Sequence, residues 1–143
     1  MVWGDLMGKF EMDGFDELLA EMKKFGELDG EVADRMILAG AEQVKAAWKQ
    51  SAERHKHRDT GDMISSIGYP RKPKTAGDVR SIDIYPQGKD SKGIRNAEKA
   101  FILNYGTKKT AASHWVDDAD KASGEPVMQA MTAIWDEHLK GTK

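Results

Sequence analysis

The sequence predicts an α+β fold in which a small antiparallel sheet packs against a long helix in the N-terminal half and a second helix near the C-terminus. Three observations carry that expectation. Apolar residues recur at helical spacing over residues 30–55 and 126–140. The run Val79-Arg80-Ser81-Ile82-Asp83-Ile84-Tyr85 alternates at its centre, as a half-buried strand does. Finally, 143 residues with no internal repeat and no low-complexity tract read as one domain over 1–143.

Each element has a local reason. Phe15, Leu18, Leu19, Met22 and Phe25 share one face of a helix over about 15–25, opened by the Asp13-Gly14 turn and closed by Gly26. The preceding Lys9-Phe10-Glu11-Met12 reads as a short strand. Asp29-Gly30 opens the long helix, about 30–55, with Ala33, Ile37, Gly40, Val44, Ala47 and Trp48 in one stripe. Its small residues imply close approach to another element, and its basic end suits the negative pole of the helix dipole.

Strands are expected over about 64–69 and 79–85, paired antiparallel across a Pro/Gly loop. Residues 86–96 read as a mobile polar loop. A short helix follows over about 97–105, with Ala97, Ala100, Phe101 and Tyr105 as its apolar face. After the linker 107–113, His114–Ala122 starts a helical stretch that Ser123-Gly124 should interrupt. Pro126 then suits the first turn of a helix over about 126–140, with Val127, Ala130, Met131, Ile134, Trp135 and Leu139 on one face.

Composition narrows the function. There is no Cys, which excludes disulfides, Cys-ligated zinc and thiol catalysis. Mean hydropathy is −0.65, and no apolar run approaches the roughly 18–20 residues of a membrane span. Met1–Phe10 does not read as a secretory signal. The net charge of −2 is unevenly spread: residues 1–48 hold 5 Lys/Arg against 11 Asp/Glu, whereas residues 49–99 hold 12 against 7. Such asymmetry can order subunits head to tail, or be no more than a solvated surface.

The chemical motifs are thin. Asp59-Thr60-Gly61 matches the loop of aspartic proteases, where two carboxylates share a proton, but His55, Lys56, His57 and Arg58 stand where an apolar strand is needed. A dimeric protease using Asp59 is therefore one alternative. A nucleic-acid-binding module using the 49–58 basic cluster is another, against which a pI near 6.1 argues. On the end of a helix His55 and His57 point apart, and His114 and His138 lack a partner at ligand spacing, so no metal site is expected. Asp117, Asp118 and Asp120 lack the remaining features of a calcium loop. Trp115 is either a core anchor or an interface residue.

Two segments resemble something more specific. His57-Arg58-Asp59-Thr60-Gly61-Asp62-Met63-Ile64-Ser65-Ser66-Ile67 resembles a basic/Pro-x-Thr-Gly-x-Leu-x-x-Ser-Ile signature. Some way on, Ala100-Phe101-Ile102-Leu103-Asn104-Tyr105-Gly106-Thr107-Lys108 resembles Tyr-Ala-x-x-x-Glu-Phe-Gly-Thr. His114-Trp115-Val116 and Ala119 then stand where the pattern has Pro-Phe-Leu-x-x-Ala. With the opening Gly14-Phe15-Asp16-Glu17-Leu18, the chain is similar over residues 10–140 to the tailed-phage neck and minor tail component family. Asn104 replaces the family's Glu, Ala100 its Tyr, His114 its Pro and Trp115 its Phe.

The resemblance implies a structural virion protein without catalysis, cofactor or metal. It implies a ring of subunits at the head–tail junction, between the head connector or stopper and the tail tube or tail terminator. DNA would pass through the ring without sequence-specific binding, and assembly would take place in the host cytoplasm. The motif and turn residues are then Asp59, Thr60, Gly61, Ser66, Ile67, Phe101, Tyr105, Gly106 and Thr107. Candidate interface residues are Lys56, Arg58, Lys108, Lys109, His114 and Trp115, with the loop 86–96 and the linker 107–113.

Overall fold

A computed structural model describes residues 30–57, 61–76 and 79–141. The expected strand at 9–12, the helix at 15–25 and the motif residues Arg58, Asp59 and Thr60 lie outside the described residues. The elements in chain order are α1 (Gly30–Arg54), α2 (Asp62–Ser65), β1 (Ile67–Gly68), β2 (Lys74–Ala76), β3 (Val79–Ser81), β4 (Tyr85–Pro86), α3 (Asn96–Tyr105) and α4 (Trp115–Gly141). This is the expected α+β class, dominated by two long helices. Among the described residues no helix is long and apolar enough to cross a membrane.

α1 and α4 run antiparallel, and their contact is the core of the molecule. The order of their pairings fixes the direction: Ser51 meets Trp115, Trp48 meets Asp120, Gly40 meets Val127 and Met131, and Arg35 meets Glu137. The α1 stripe is buried as its spacing predicts, from Val32 and Ala33 through Ile37, Gly40 and Val44 to Trp48 and Ala52. A Cβ on Gly40 would lie 2.7 Å from Met131 Cε and 3.1 Å from Val127 Cγ1, so glycine here admits the α4 side chains. Trp48 and Trp115 are both 0% exposed and meet edge to face, with ring centroids 5.5 Å apart. That geometry sets the positive ring edge of one indole on the negative face of the other.

α4 corrects the expectation of a break at Ser123-Gly124: it is one helix from Trp115 to Gly141, with Pro126 inside it. Proline in a helix interior costs about 3 kcal/mol through a lost hydrogen bond and a clash. Here Ala122, whose carbonyl loses its partner, and Pro126 both lie on the exposed side. Water can reach the freed carbonyl, while Ala119 and Ser123 before the proline and Val127 and Met131 after it are buried on α1's side. Tertiary burial on both sides of the proline holds the helix together. Leu139, expected on the apolar face, is exposed instead.

The sheet also differs from expectation. Residues 62–65 are helical, and the predicted pair splits into two separate two-stranded ladders. β1 pairs antiparallel with β4 (Ile67 opposite Pro86, Gly68 opposite Tyr85), and β2 with β3 (Lys74 opposite Ser81, Ala76 opposite Val79). Between β3 and β4 the alternation is nevertheless obeyed. Ile82 and Ile84 are buried in the core, while Asp83 takes a salt bridge from Lys74 Nζ at 3.1 Å. Prolines at 70 and 73 have no N–H to extend a ladder from β1 towards β2.

Two polar anchors tie the strands to α1. Arg80 of β3 pairs with Asp34. Tyr69 donates its hydroxyl to Glu42, and Lys45 Nζ sits 5.9 Å from the Tyr69 ring centroid. Burial and the Glu42 carboxylate push the Tyr69 phenol up to about 12, which keeps it a donor.

Candidate functional site

His57 of the first motif segment and Leu103 and Asn104 of the second meet where the C-terminal end of α1 approaches the start of α4. α1 closes through His57 N donating to Ala52 O at 2.9 Å, with Lys56 in the left-handed region at φ 60°. His114, at φ 57°, turns the chain into α4. Such conformations are uncommon for residues with a Cβ, and both occur at this joint.

His57 and Ser113 connect the two motif segments. His57 Nε2 lies 2.9 Å from Ser113 Oγ, and Ser113 Oγ in turn donates to Leu103 O at 2.7 Å. With its proton committed to a carbonyl, the serine accepts from His57, and the pair is a tether rather than a nucleophile and its base. Burial, then the neighbouring His55, lower the His57 pKa, so the neutral imidazole is the favoured form. His55 Nε2 contacts Asp118 Oδ2 at 2.8 Å, and His114 Nδ1 contacts Asp117 Oδ2 at 3.0 Å. Trp48 Nε1 donates to Asp120 Oδ1 at 3.1 Å. Burial raises the Asp120 carboxyl to about 6, the Trp48 bond opposes that shift, and the charge of Asp117 adds to it. Among the described residues no three His, Asp or Glu side chains converge to hold a metal ion.

The second motif builds the other wall. Gly106 ends α3 at φ 78°, ψ 174°, with its N–H donated to Ile102 O at 2.7 Å. Thr107 then folds the chain back: its N–H bonds Thr110 O at 2.8 Å, and its Oγ1 accepts from the N–H groups of Lys109 and Thr110. Ser113 N and His114 N donate to Leu103 O and Asn104 O. The segment 107–113 is therefore a closed, internally bonded loop and not the flexible linker expected. Lys108 and Lys109 project from it into solvent.

Asn104 completes the joint. Fully buried, it accepts from Val116 N at 2.9 Å with Oδ1 and so caps the first turn of α4 from a distant segment. Its Nδ2 has no partner. Sequence reasoning registered Asn104 only as a departure from the family's Glu; an oxygen acceptor at this position was the available signal. Trp115, offered as an interface residue or a core anchor, takes the core position, and its Nε1 donates to Ala100 O at 3.3 Å.

The first motif begins α2. Gly61 stands at its N-cap with φ 88°, Ser66 Oγ donates to Met63 O at 2.7 Å, and Ile67 is buried. Ser66 O accepts from Gln87 N at 3.0 Å, which brings the loop 86–96 alongside. That loop is organised around Asp90, which sequence reasoning missed. Its Oδ1 accepts from Lys92 N and Ile94 N at 2.9 Å each, while Oδ2 pairs with Lys99. The Lys99 ammonium first, and then the Ile94 N–H, hold its carboxyl below the usual range. Phe101 and Tyr105 pack ring on ring on α3, with centroids 4.8 Å apart.

Comparison with known proteins adds one result. A family model described as "Bacteriophage HK97-gp10, putative tail-component" matches residues 16–118, a span that contains both motif segments. No curated protein and no solved structure matches the chain.

Proposed function

The chain belongs to the HK97-gp10-like phage tail-component family, and we propose that it is a structural protein of the head–tail junction, a neck or tail-completion subunit. In this reading it assembles as a ring between the head connector or stopper and the tail tube or tail terminator. DNA passes through without sequence-specific contact, and the ring forms in the host cytoplasm before joining the virion. The observation that carries the reading is what the motif residues do. Residues of the two motif segments join α1, α3 and α4 into one joint through bonds to one another: His57 to Ser113, Ser113 to Leu103, and Asn104 Oδ1 to Val116. An arrangement of that kind sets the shape of a subunit, and it makes His57 and Ser113 a tether rather than a base and its nucleophile. Lys56, Lys108, Lys109 and His114 are solvent-exposed around the joint, as contact residues between subunits must be.

Deletion of the gene from its phage or prophage, followed by negative-stain electron microscopy of the lysate, tests the assignment. DNA-filled heads separate from tails, or tails of abnormal length, are expected. Intact, infectious virions would overturn it. Reversing the charge of Lys56 and Arg58 should weaken assembly, and unaltered particle yield would count against a role for these two cations.

A further inference from the structure

The outer face of α3 carries exposed apolar residues on either side of Glu98 and is ringed by cations. Ile94, Glu98, Ile102 and Tyr105 follow one another at helical spacing, and Ile94 and Tyr105 are 45% and 47% exposed. Ile94, Glu98 and Ile102 line an open depression with Lys89, Gly93 and Arg95. Residues 86–109 hold six Lys/Arg against two Asp/Glu. Of those cations Lys99 is taken by Asp90, while Lys89, Lys92, Arg95, Lys108 and Lys109 are exposed and form no ion pair among the described residues. An apolar line flanked by unpaired positive charge fits an acidic amphipathic segment.

The chain carries a segment of that chemistry. In Phe15–Phe25 the apolar residues Phe15, Leu18, Leu19, Met22 and Phe25 share one face at helical spacing, with Asp16, Glu17 and Glu21 among the others. Residues 1–29 as a whole hold eight Asp/Glu against three Lys/Arg.

Reach bears on which copy of α3 this segment meets along its whole length. The segment joins α1 at Gly30, whereas the Tyr105 end of α3 lies beside the opposite end of α1, through Asn104 to Val116 and Trp115 to Ser51. Gly30 and Ser51 are about 30 Å apart along α1 at ~1.5 Å per residue. The step from Phe25 to Gly30 spans at most about 18 Å, so Phe25 cannot meet the Tyr105 end of α3 in its own subunit, whereas in a neighbour's copy it can.

We infer that the α3 face, Ile94 to Tyr105 with Lys89 and Arg95, binds residues 15–25 of a second copy of this chain. The inference rests on the ring reading and names the contact that would close it. A donor segment at one end and an acceptor face at the other make a heterologous interface, the kind that generates rings.

The chain's lack of cysteine makes the test direct. Leu19→Cys is placed in one full-length chain and Tyr105→Cys in another of different tag length, and the two are mixed with a short bismaleimide. A cross-linked product of mixed size is expected. Its yield should fall at least fivefold with Lys89→Glu/Arg95→Glu in the acceptor and recover with Asp16→Lys/Glu17→Lys in the donor. Cross-linking only within one chain of a doubly substituted protein would overturn the inference, and so would no product. Sedimentation of the unmodified chain separates the two failures: rings without cross-links sink this contact alone, and monomers without cross-links sink the ring with it.

Discussion

Replacing Gly106 by Ala should be among the most damaging single-methyl changes the chain can suffer. Two independent costs add. Gly106 sits at φ 78°, ψ 174°, a region that residues with a Cβ scarcely enter and that costs them about 1–3 kcal/mol. A Cβ there would also lie 2.7 Å from Ala112 N and 2.8 Å from Thr110 O. Both are backbone atoms, fixed by Thr107 N to Thr110 O and by Ser113 N to Leu103 O, so no side chain can swing away. Relief requires moving the loop, at an overpacking cost of about 1–3 kcal/mol. The expected loss is about 2–6 kcal/mol. Urea unfolding followed by tryptophan fluorescence measures it, with the slope m unchanged. Gly88→Ala is the control: φ is 68°, yet a Cβ there meets nothing within 4 Å, so only the conformational cost of about 1–2 kcal/mol applies. Equal losses for the two variants would refute the claim that loop contact decides the matter.

Other expectations use the same unfolding assay. Gly124→Ala should stabilise by about 1 kcal/mol, because it improves helix propensity where a Cβ meets nothing, whereas Gly40→Ala should lose that gain to Met131 and Val127. Asn104→Ala should cost about 1–2 kcal/mol: it leaves the buried Val116 N–H unpaired, and only part is returned by removing the unpartnered Nδ2. Asp120 has its carboxyl raised to about 6, so the folded state holds the extra proton and native stability falls as pH rises from about 4 to about 6. Asp120→Asn should flatten that slope and gain up to about 1 kcal/mol at pH 7, the figure being reduced for solvent screening of an exposed residue; an unaltered pH profile would refute the assignment.

The parts of the fold legible in the sequence are those that periodicity governs. The α1 stripe is buried as its spacing dictates, and Ile82 and Ile84 point inward although no continuous strand forms around them. What was illegible depends on distant partners. Pro126 reads as a helix start because its local cost is plain, while the burial that outweighs it lies on α1. The loops 86–96 and 107–113 read as mobile because polar turn formers fill the first and Thr, Lys and Ala the second, yet Asp90 and Thr107 close them with bonds that composition does not announce. For the joint, the two motif segments were visible as strings, but not that His57 reaches Ser113 or that Asn104 caps α4.

The unequal ends of the α1–α4 pair have a mechanical consequence. At one end Ser51, His55, His57 and Asn104 all fasten the first turns of α4 or the residues just before it. At the other end, among the described residues, Arg35 lies 3.7 Å from Glu137, half in water, with Leu139 exposed nearby. The pair is thus a clasp riveted at one end. Force applied through the α3 side must break the whole set of rivets at once. Local stability is concentrated accordingly at one end of the helix pair: a subunit built this way is stiff where its motifs sit.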